Sequence, residues 1–244
     1  MDGIKKIALT TNGVLTAPHV KHFKSLKINS VNLSLDSLDP VRFFEVTRRD
    51  EFPAVMKTLD ELLLHGIDVK INSVVMQGQN EQDILSLVEM TRQLPVSVRF
   101  IEEMPFNGSG QHYQAWVWDY KRIVAHIREA YPTLHKIPDP PHSTSSNYAI
   151  EGHQGTVGII AAYSRTFCGT CNRIRLTPQG LLKTCLYDSG VFNVRDILRA
   201  GANDAELAAL FQDAIGHRFK DGHEAEANRF MNGPVSESMA TIGG

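Results

Sequence analysis

The chain contains 244 residues, of which 42% are hydrophobic and 21% charged, so it can bury one large core or two small ones. Its formal net charge of −2 favours neither a nucleic-acid partner nor an anionic membrane surface. No apolar run approaches the roughly 20 residues that span a bilayer, and the first residues lack the apolar region of a signal peptide. Three cysteines cannot all pair with one another, so we expect a reduced compartment, the cytoplasm.

Short apolar runs alternate with segments of helical period over the first hundred residues. The runs predict strands at residues 5–9, 30–35, 68–75 and 96–101. The segments between them predict helices at residues 18–27, 52–65 and 81–93. This alternation predicts an α/β fold with right-handed crossovers and a parallel sheet. Because a closed barrel of this kind needs about eight strands, the four strands indicate an open sheet or an incomplete TIM-type barrel.

Polar residues lie near the carboxyl end of each predicted strand. They are residues 10–13 (TTNG), 34–37 (SLDS) and 70–73 (KINS), and Arg99 with residues 102–104 (EEM). Carboxyl ends of parallel strands form the ligand-binding side of such sheets, although Asn-Gly and Asp-Ser pairs also open ordinary turns. Lys70 lies in an apolar run, where it either extends from an edge strand to solvent or points into a polar barrel mouth. We favour the barrel mouth because Asn72 shares its face.

The composition changes after residue 116, which predicts two domains at residues 1–115 and 116–244. In the second part, a loop rich in Pro, Ser and His spans residues 138–147. Helical segments are predicted at residues 119–131, 194–200 and 204–219, and a strand-like segment at residues 155–161. Residues 221–244 are rich in Gly, Asn and Ser, and we expect them to be weakly ordered.

All three cysteines fall in one constellation, Cys168-Gly-Thr-Cys171 followed by Cys185. The residues between them predict a hairpin that returns Cys185 to the first pair. A structural zinc site would need a fourth ligand, for which His153 or Asp188 is available. A redox dithiol would use only the C-x2-C pair and leave Cys185 unexplained. A [4Fe–4S] cluster held by three thiolates would use all three and leave one iron open to a ligand.

Two arginines follow the C-x2-C pair. In an extended strand, Arg173 and Arg175 point to the same face. Two guanidinium groups on one face suit a polyphosphate through bidentate, charge-assisted hydrogen bonds. The alternative is a solvated pair at the edge of a hairpin.

Several strings of the sequence together resemble the molybdenum-cofactor biosynthesis protein A family. The strings are FCGTCNRIRLTPQGLLKTCLY (167–187), IALTTNG (7–13), VNLSLDSLD (31–39), VKINSVVM (69–76), VRFIEEM (98–104) and IGG (242–244). The cysteine block is highly specific, whereas the TTNG and SLDSLD strings occur in looser form in other radical S-adenosylmethionine (SAM) enzymes. The resemblance implies a partial TIM-type barrel with a C-terminal iron–sulfur region, and conversion of GTP to 3′,8-cyclo-7,8-dihydro-GTP by SAM-derived radical chemistry.

The resemblance also implies roles for individual residues. Cys168, Cys171 and Cys185 match the ligands of a C-terminal [4Fe–4S] cluster. The GTP contacts match Thr10, Lys70, Arg173, Ile174 and Arg175, and the SAM contacts match Ser34 and Met104. Gly243 and Gly244 match a C-terminal double glycine that can pass where a side chain would block the site.

One departure from the family pattern concerns its other cluster. The family's N-terminal C-x3-C-x2-C loop is absent from the sequence, so we expect an N-terminally truncated chain that cannot start the radical reaction alone and whose SAM binding is in doubt. The partners implied by the resemblance are GTP, a second copy of the chain in a homodimer, and the next enzyme of the pathway, cyclic pyranopterin monophosphate synthase. A non-catalytic GTP- or metal-binding fragment and a zinc-stabilised module are the alternative functions.

Overall fold

The computed structural model describes residues 3–104, 118–164, 166 and 168–231. The chain forms two compact units, one of residues 1–103 with 116–164 and one of residues 104–115 with 165–244. The division predicted at residue 115/116 therefore differs from the division between these units, because residues 118–164 pack with the first unit. In the described part of the chain, no helix combines the length and the apolar character needed to cross a membrane.

The first unit is built on a seven-stranded, mostly parallel sheet. Its strands are β1 Ile7–Thr11, β2 Ile28–Ser34, β3 Asp68–Val75, β4 Ser97–Glu102, β5 His135–Lys136, β6 Ser145–Ala149 and β7 Thr156–Ile160. The spatial order is β1-β2-β3-β4-β7-β6-β5, in which β1 to β4 and β7 are parallel and β6 and β5 are antiparallel additions. The α/β class, the parallel sheet and the four predicted strands are confirmed, with small shifts at the strand ends.

Helices cover one face of this sheet. They are α1 Pro40–Thr47, α2 Phe52–Leu64, α3 Ile84–Gln93 and α4 Tyr120–Ala130, with 3₁₀ turns at Ala17–His22 and Glu81–Asp83. The prediction of a regular helix at residues 18–27 was wrong, since only the short 3₁₀ turn forms there. Helix α1 was not predicted from the sequence. It begins after Asp39, and the Asp39 carboxylate caps it by accepting hydrogen bonds from the Val41 and Arg42 N–H groups.

The core of the first unit lies between the helices and one face of the sheet. Leu33, Ile71, Val98 and Phe100 are fully buried on that face. Complete burial of each such side chain contributes about 1.5–3 kcal/mol to the free energy of unfolding. Parallel strands that are covered on both faces are apolar throughout. β3 instead alternates buried with partly exposed residues, so the opposite face of the sheet is available for polar side chains.

The described residues of the second unit form a small antiparallel sheet, a 3₁₀ turn at Cys168–Thr170 and three α-helices. Its strands are β8 Arg175–Leu176, β9 Leu181–Lys183 and β10 Phe192–Asn193, in the order β10-β9-β8. Its helices are α5 Val194–Arg199, α6 Asp204–Gly216 and α7 Gly222–Met231. The predicted hairpin between the arginines and Cys185 is confirmed by the β8–β9 pair. The prediction of weak order from residue 221 was wrong over α7, whose first turn is capped by the Asp221 carboxylate.

Candidate functional site

The open face of the first unit's sheet carries two rows of polar side chains. The first polar row consists of Thr10, Asn32 and Lys70, which are register partners on β1, β2 and β3. The Asn32 amide donates to Thr10 Oγ1 at 3.1 Å, which confirms that these side chains share a face. The second polar row consists of Ser34, Asn72 and Arg99, which are register partners on β2, β3 and β4. The structure thus places Thr10, Ser34 and Lys70 on one face of the sheet. Thr10 and Ser34 lie at the carboxyl ends of β1 and β2, as expected, whereas Lys70 is the third residue of β3 and lies nearer the amino end of that strand.

Lys70 lies on a central strand, so the interpretation as an edge-strand lysine was wrong. Its Nζ donates to Ser30 Oγ at 2.6 Å and forms an ion pair with Asp68. Burial is the main cause of a lowered pKa for the Lys70 amine, and the nearby Arg99 charge acts in the same direction, while the Asp68 carboxylate opposes both. Lys70 and Arg99 place positive charge on this face of the sheet, and the Asp68 carboxylate balances part of it.

The second polar row has two further features: a hydrogen-bond acceptor without a partner, and close packing around Gly158. The Oδ1 atom of Asn72 is buried and has no hydrogen-bond partner within the described residues. Gly158 on β7 is the register partner of Arg99. A Cβ atom at Gly158 would lie 2.3 Å from Ser145 Oγ and 3.1 Å from Arg99 Cγ, so only glycine fits there. A buried acceptor without a partner costs about 1–3 kcal/mol, which a ligand donor would offset.

The TTNG segment beyond Thr10 performs turn chemistry instead of presenting ligand groups. Thr11 Oγ1 accepts a hydrogen bond from the Gly13 N–H, and Asn12 Oδ1 accepts one from the Val14 N–H. Gly13 has a φ of +82°, and a Cβ atom there would lie 2.7 Å from a methyl group of Leu33. For residues 11–13, the turn interpretation is therefore sufficient.

Glu102, at the end of β4, stabilises the fold through hydrogen bonds. Its side chain is 2% exposed. Oε1 accepts hydrogen bonds from the Tyr120 N–H at 2.7 Å and from the Ser164 hydroxyl at 2.8 Å, and Oε2 accepts one from the Ser164 N–H at 2.7 Å. This carboxylate joins the end of β4 to the start of α4 and to the segment after β7.

Asp36 is the most strongly perturbed carboxyl group at the strand ends. Its Oδ1 accepts a hydrogen bond from the Val74 N–H at 2.8 Å, which ties the end of β2 to β3. Burial raises the pKa of Asp36 to about 6, and the Val74 hydrogen bond only partly opposes this shift. Folding therefore favours the protonated form of this group.

Because the folded protein retains the Asp36 proton to a higher pH than the unfolded chain does, the stability contributed by this group is lost as the pH rises. Between about pH 3 and pH 7, the free energy of unfolding should fall by about 3 kcal/mol relative to the Asp36→Asn variant, which keeps an acceptor for Val74. Urea unfolding across this range measures the difference. Asp50→Asn, an exposed change of the same charge, should follow the wild type. An Asp36→Asn variant with an unchanged pH profile would contradict this assignment.

The second unit contains the three cysteines as free, half-buried thiols. Cys168 and Cys171 are joined by a tight turn, in which the Cys171 N–H donates to the Cys168 carbonyl at 3.2 Å. Burial is the main cause of the raised pKa of the Cys185 thiol, and the charges of Asp188, Cys168 and Cys171 raise it further. Cys185 follows strand β9 of the hairpin and lies within electrostatic range of the first pair. Across the described residues, no three His, Cys, Asp or Glu side chains converge closely enough to hold one metal ion.

Cations surround the C-x2-C turn. Burial opposes ionisation of Cys171, but hydrogen bonds from the Arg173 N–H and from Arg218, together with the Arg173 charge, outweigh it and lower the pKa of the thiol. The Arg173 guanidinium lies 3.9 Å from Cys171 Sγ. Sequence spacing offered no signal for Arg218, since it follows α6 and reaches the thiol only through the tertiary fold.

Of the two residues considered as a fourth zinc ligand, Asp188 has both carboxylate oxygens engaged. His153 is engaged at Nδ1, while its buried Nε2 has no hydrogen-bond partner among the described residues. His153 belongs to the first unit, where its Nδ1 atom is within 2.8 Å of Thr91 Oγ1. Asp188 is 3% exposed. Its Oδ2 accepts hydrogen bonds from the Thr184 N–H, the Thr184 hydroxyl and the Cys185 N–H, and its Oδ1 accepts one from the Gly190 N–H. Asp188 therefore organises the turn that carries Cys185.

Arg173 and Arg175 are both partly buried, although only Arg175 lies in strand β8. From Asn172 to Leu176 partly buried residues alternate with exposed ones, so Arg173 and Arg175 face inward and Ile174, 43% exposed, faces away. Burial, with the neighbouring Arg173 charge, lowers the pKa of Arg175, while the Cys171 and Cys185 thiols raise it. This unit thus has two guanidinium groups beside a thiol cluster.

The remaining predicted residues lie at the edges of the described chain. Met104 Sδ accepts a hydrogen bond from the Tyr187 hydroxyl at 3.5 Å, which places it next to the turn that carries Cys185. Gly243 and Gly244 lie outside the described residues.

Comparison with known proteins gives matches over nearly the whole chain. Residues 96–224 match the Molybdenum Cofactor Synthesis C family, and residues 1–91 match the Radical SAM superfamily. The chain is 40% identical over 219 residues to molybdenum cofactor biosynthesis protein 1 of Mus musculus, covering 89% of this chain and 34% of that protein. It is 37% identical over 222 residues to the mitochondrial GTP 3′,8-cyclase of Arabidopsis thaliana, covering 88% of this chain and 55% of that protein. It is 35% identical over 248 residues to the GTP 3′,8-cyclase of Chlorobaculum tepidum, covering 99% of this chain and 72% of that protein.

The lengths of these relatives differ. The chain spans only about a third of the mouse protein and about half of the plant protein, but most of the bacterial one. The cytoplasmic location expected from the sequence stays a prediction, and the name of the plant relative places that protein in mitochondria.

Proposed function

From the premise that this chain belongs to the molybdenum-cofactor synthesis family of radical SAM proteins, we propose that it is the GTP-binding and second-cluster-binding portion of a GTP 3′,8-cyclase. Such an enzyme converts GTP to 3′,8-cyclo-7,8-dihydro-GTP in molybdenum cofactor biosynthesis. The observation that carries the proposal is the arrangement in the second unit, where Arg173 and Arg175 face inward beside Cys171.

The cysteines suit an iron–sulfur cluster by their chemistry. Cys168, Cys171 and Cys185 are free thiols that influence one another's charge, and the lowered pKa of Cys171 favours the thiolate that binds iron. A [4Fe–4S] cluster held by three thiolates leaves one iron open, which supplies a binding position for an electron-pair donor such as a purine. The Asp188 carboxylate is occupied by hydrogen bonds from its own turn, which favours a three-thiolate cluster over a closed zinc site with Asp188 as fourth ligand.

Arg173 and Arg175 supply the charge that a triphosphate requires. Guanidinium groups bind phosphate oxygens in pairs of parallel hydrogen bonds. Partial burial of Arg175 strengthens such contacts, because the local dielectric constant is lower than in water. The backbone of Ile174, between the two arginines, is the group available to the nucleotide, since its side chain faces away.

The polar face of the first unit carries candidate groups of its own. We assign Thr10 and Lys70 of the first polar row to GTP, and Arg99 is a third anion-binding candidate on that face. Ser34 is assigned to SAM and has the unmatched Oδ1 of Asn72 as its register neighbour. In the second unit, Met104 is assigned to SAM as well. The alternation of buried and polar residues on β3 supports a partial TIM-type barrel whose inner face is polar.

Radical formation needs a second cluster, which the chain cannot hold by itself. The sequence contains three cysteines, and all three belong to the site in the second unit. We therefore propose that the 244 residues bind GTP without cyclising it, and that SAM binds weakly at most. GTP is the primary partner. A second copy of the chain and the enzyme that consumes the cyclised nucleotide are the further partners we propose.

Anaerobic reconstitution with iron and sulfide tests the cluster assignment. We expect about four irons and four sulfides per chain with broad absorption near ~400 nm. Replacement of Cys185 with serine should remove most of this iron, whereas Ser189→Ala, an exposed change in the same turn, should leave it in place. GTP should then bind to the loaded chain in a calorimetric titration. One tightly held zinc ion without sulfide would instead establish a zinc-stabilised module and overturn the proposal.

A further inference from the structure

The turn that carries Cys185 is built around one buried carboxylate. Oδ2 of Asp188 lies 2.7 Å from the Cys185 N atom, 2.8 Å from the Thr184 N atom and 3.0 Å from Thr184 Oγ1. Oδ1 lies 2.9 Å from the Gly190 N atom. The carboxylate therefore accepts four hydrogen bonds, and its donors lie on both sides of Cys185 in the sequence.

This arrangement differs from an ordinary turn at the surface. Asp188 is 3% exposed and Thr184 is 2% exposed, so water cannot readily replace a lost acceptor. All four partners are donors, which suits an ionised carboxylate because that form only accepts. Hydrogen bonds to an ionised acceptor are also about twice as strong as neutral ones. The position of the Cys185 main chain thus depends on a single charged group.

We propose that Asp188 is the positioning residue for Cys185, and that its buried negative charge lowers the reduction potential of the cluster bound there. The inference rests on the proposed function, since it requires a cluster at Cys168, Cys171 and Cys185. Groups outside the ligand set orient metal ligands, and their charge and hydrogen bonds adjust cluster potentials. A negative charge next to a ligand disfavours the addition of an electron, so its removal raises the potential.

Two substitutions separate the positioning effect from the charge effect. Asp188→Asn keeps one oxygen acceptor and the side-chain shape but removes the charge. It should retain about four irons per chain and shift the potential to a more positive value. Asp188→Ala removes every acceptor, and the reconstituted chain should lose iron to a chelator about 10–100-fold more readily. Asp213→Asn, an exposed change of equal charge on α6, controls for net charge.

The measurements are iron content, the chelator-challenge rate and a spectroscopically monitored redox titration, with circular dichroism to verify folding. The inference would be overturned if Asp188→Asn had the wild-type reduction potential and Asp188→Ala retained iron as the wild type does. The proposed function would then still stand. If Asp188→Ala fails to fold, the reduction potential of Asp188→Asn alone tests the inference: a positive shift supports it, and the wild-type potential overturns it. A wild-type chain that assembles no cluster would overturn the proposed function, and this inference with it.

Discussion

Replacement of both Arg173 and Arg175 with alanine is expected to weaken GTP binding by at least about 100-fold. Each guanidinium contributes charge-assisted hydrogen bonds worth roughly 1.5–3 kcal/mol, so the loss of two such groups corresponds to two or more orders of magnitude in Kd. The two side chains face inward next to Cys171, where solvent does not fully screen them. Isothermal titration of the reconstituted chain with GTP measures the effect.

The iron content of the double variant must stay at the wild-type level, because neither arginine is a cluster ligand in the proposed site. Arg195→Ala removes an exposed arginine of the same unit, one that pairs with Asp196, and should leave the GTP affinity unchanged. A double variant that binds GTP as tightly as the wild type would refute the assignment of these arginines to the triphosphate.

The substitution Glu102→Ala should lower the free energy of unfolding by about 3–5 kcal/mol. Glu102 is 2% exposed and accepts three hydrogen bonds from Tyr120 and Ser164. Its removal leaves buried donors without an acceptor and separates β4 from the start of α4. Equilibrium urea unfolding, with the midpoint and slope fitted separately, measures the loss.

Matched variants distinguish the hydrogen bonds from general effects of removing a glutamate. Glu102→Gln keeps one oxygen acceptor and should lose less stability than Glu102→Ala. Glu129→Ala removes an exposed glutamate of α4 and should change stability by no more than about 0.5 kcal/mol. If Glu102→Ala unfolds at the wild-type midpoint, Glu102 does not stabilise this part of the fold.

These two predictions concern charged residues near predicted site positions, and the residues differ in what their side chains contact. Arg173 and Arg175 have a thiol and each other as neighbours, and we propose that they bind the triphosphate. Glu102 lies at a strand end, where catalytic side chains often occur, yet both of its oxygens accept hydrogen bonds from backbone or hydroxyl donors of the fold. Position at the carboxyl end of a strand is thus insufficient to assign function without the hydrogen-bond partners.

The sequence by itself determined the class of the fold, the family and the cysteine constellation. Apolar periodicity depends on local residue order, so the strands β1 to β4 and the helices α2 and α4 follow from it with small shifts at their ends. The C-x2-C spacing and the hairpin between Arg173 and Cys185 are also local, and the structure confirms that hairpin. The alternation around Lys70 correctly indicated a polar sheet face.

Only the tertiary structure decided which polar groups are available to a ligand. Asp36, Glu102 and Asp188 are all carboxylates near predicted site residues, and their sequence context does not separate them. Burial raises the pKa of Asp36, whose carboxylate reaches the Val74 N–H on the neighbouring strand. The donors to Asp188 come from its own turn, and the fold decides that this turn is buried. Arg218 reaches Cys171 only through the packing of the second unit. Burial and long-range hydrogen bonding depend on which segments meet in space, and the periodicity of a single segment contains no information about that.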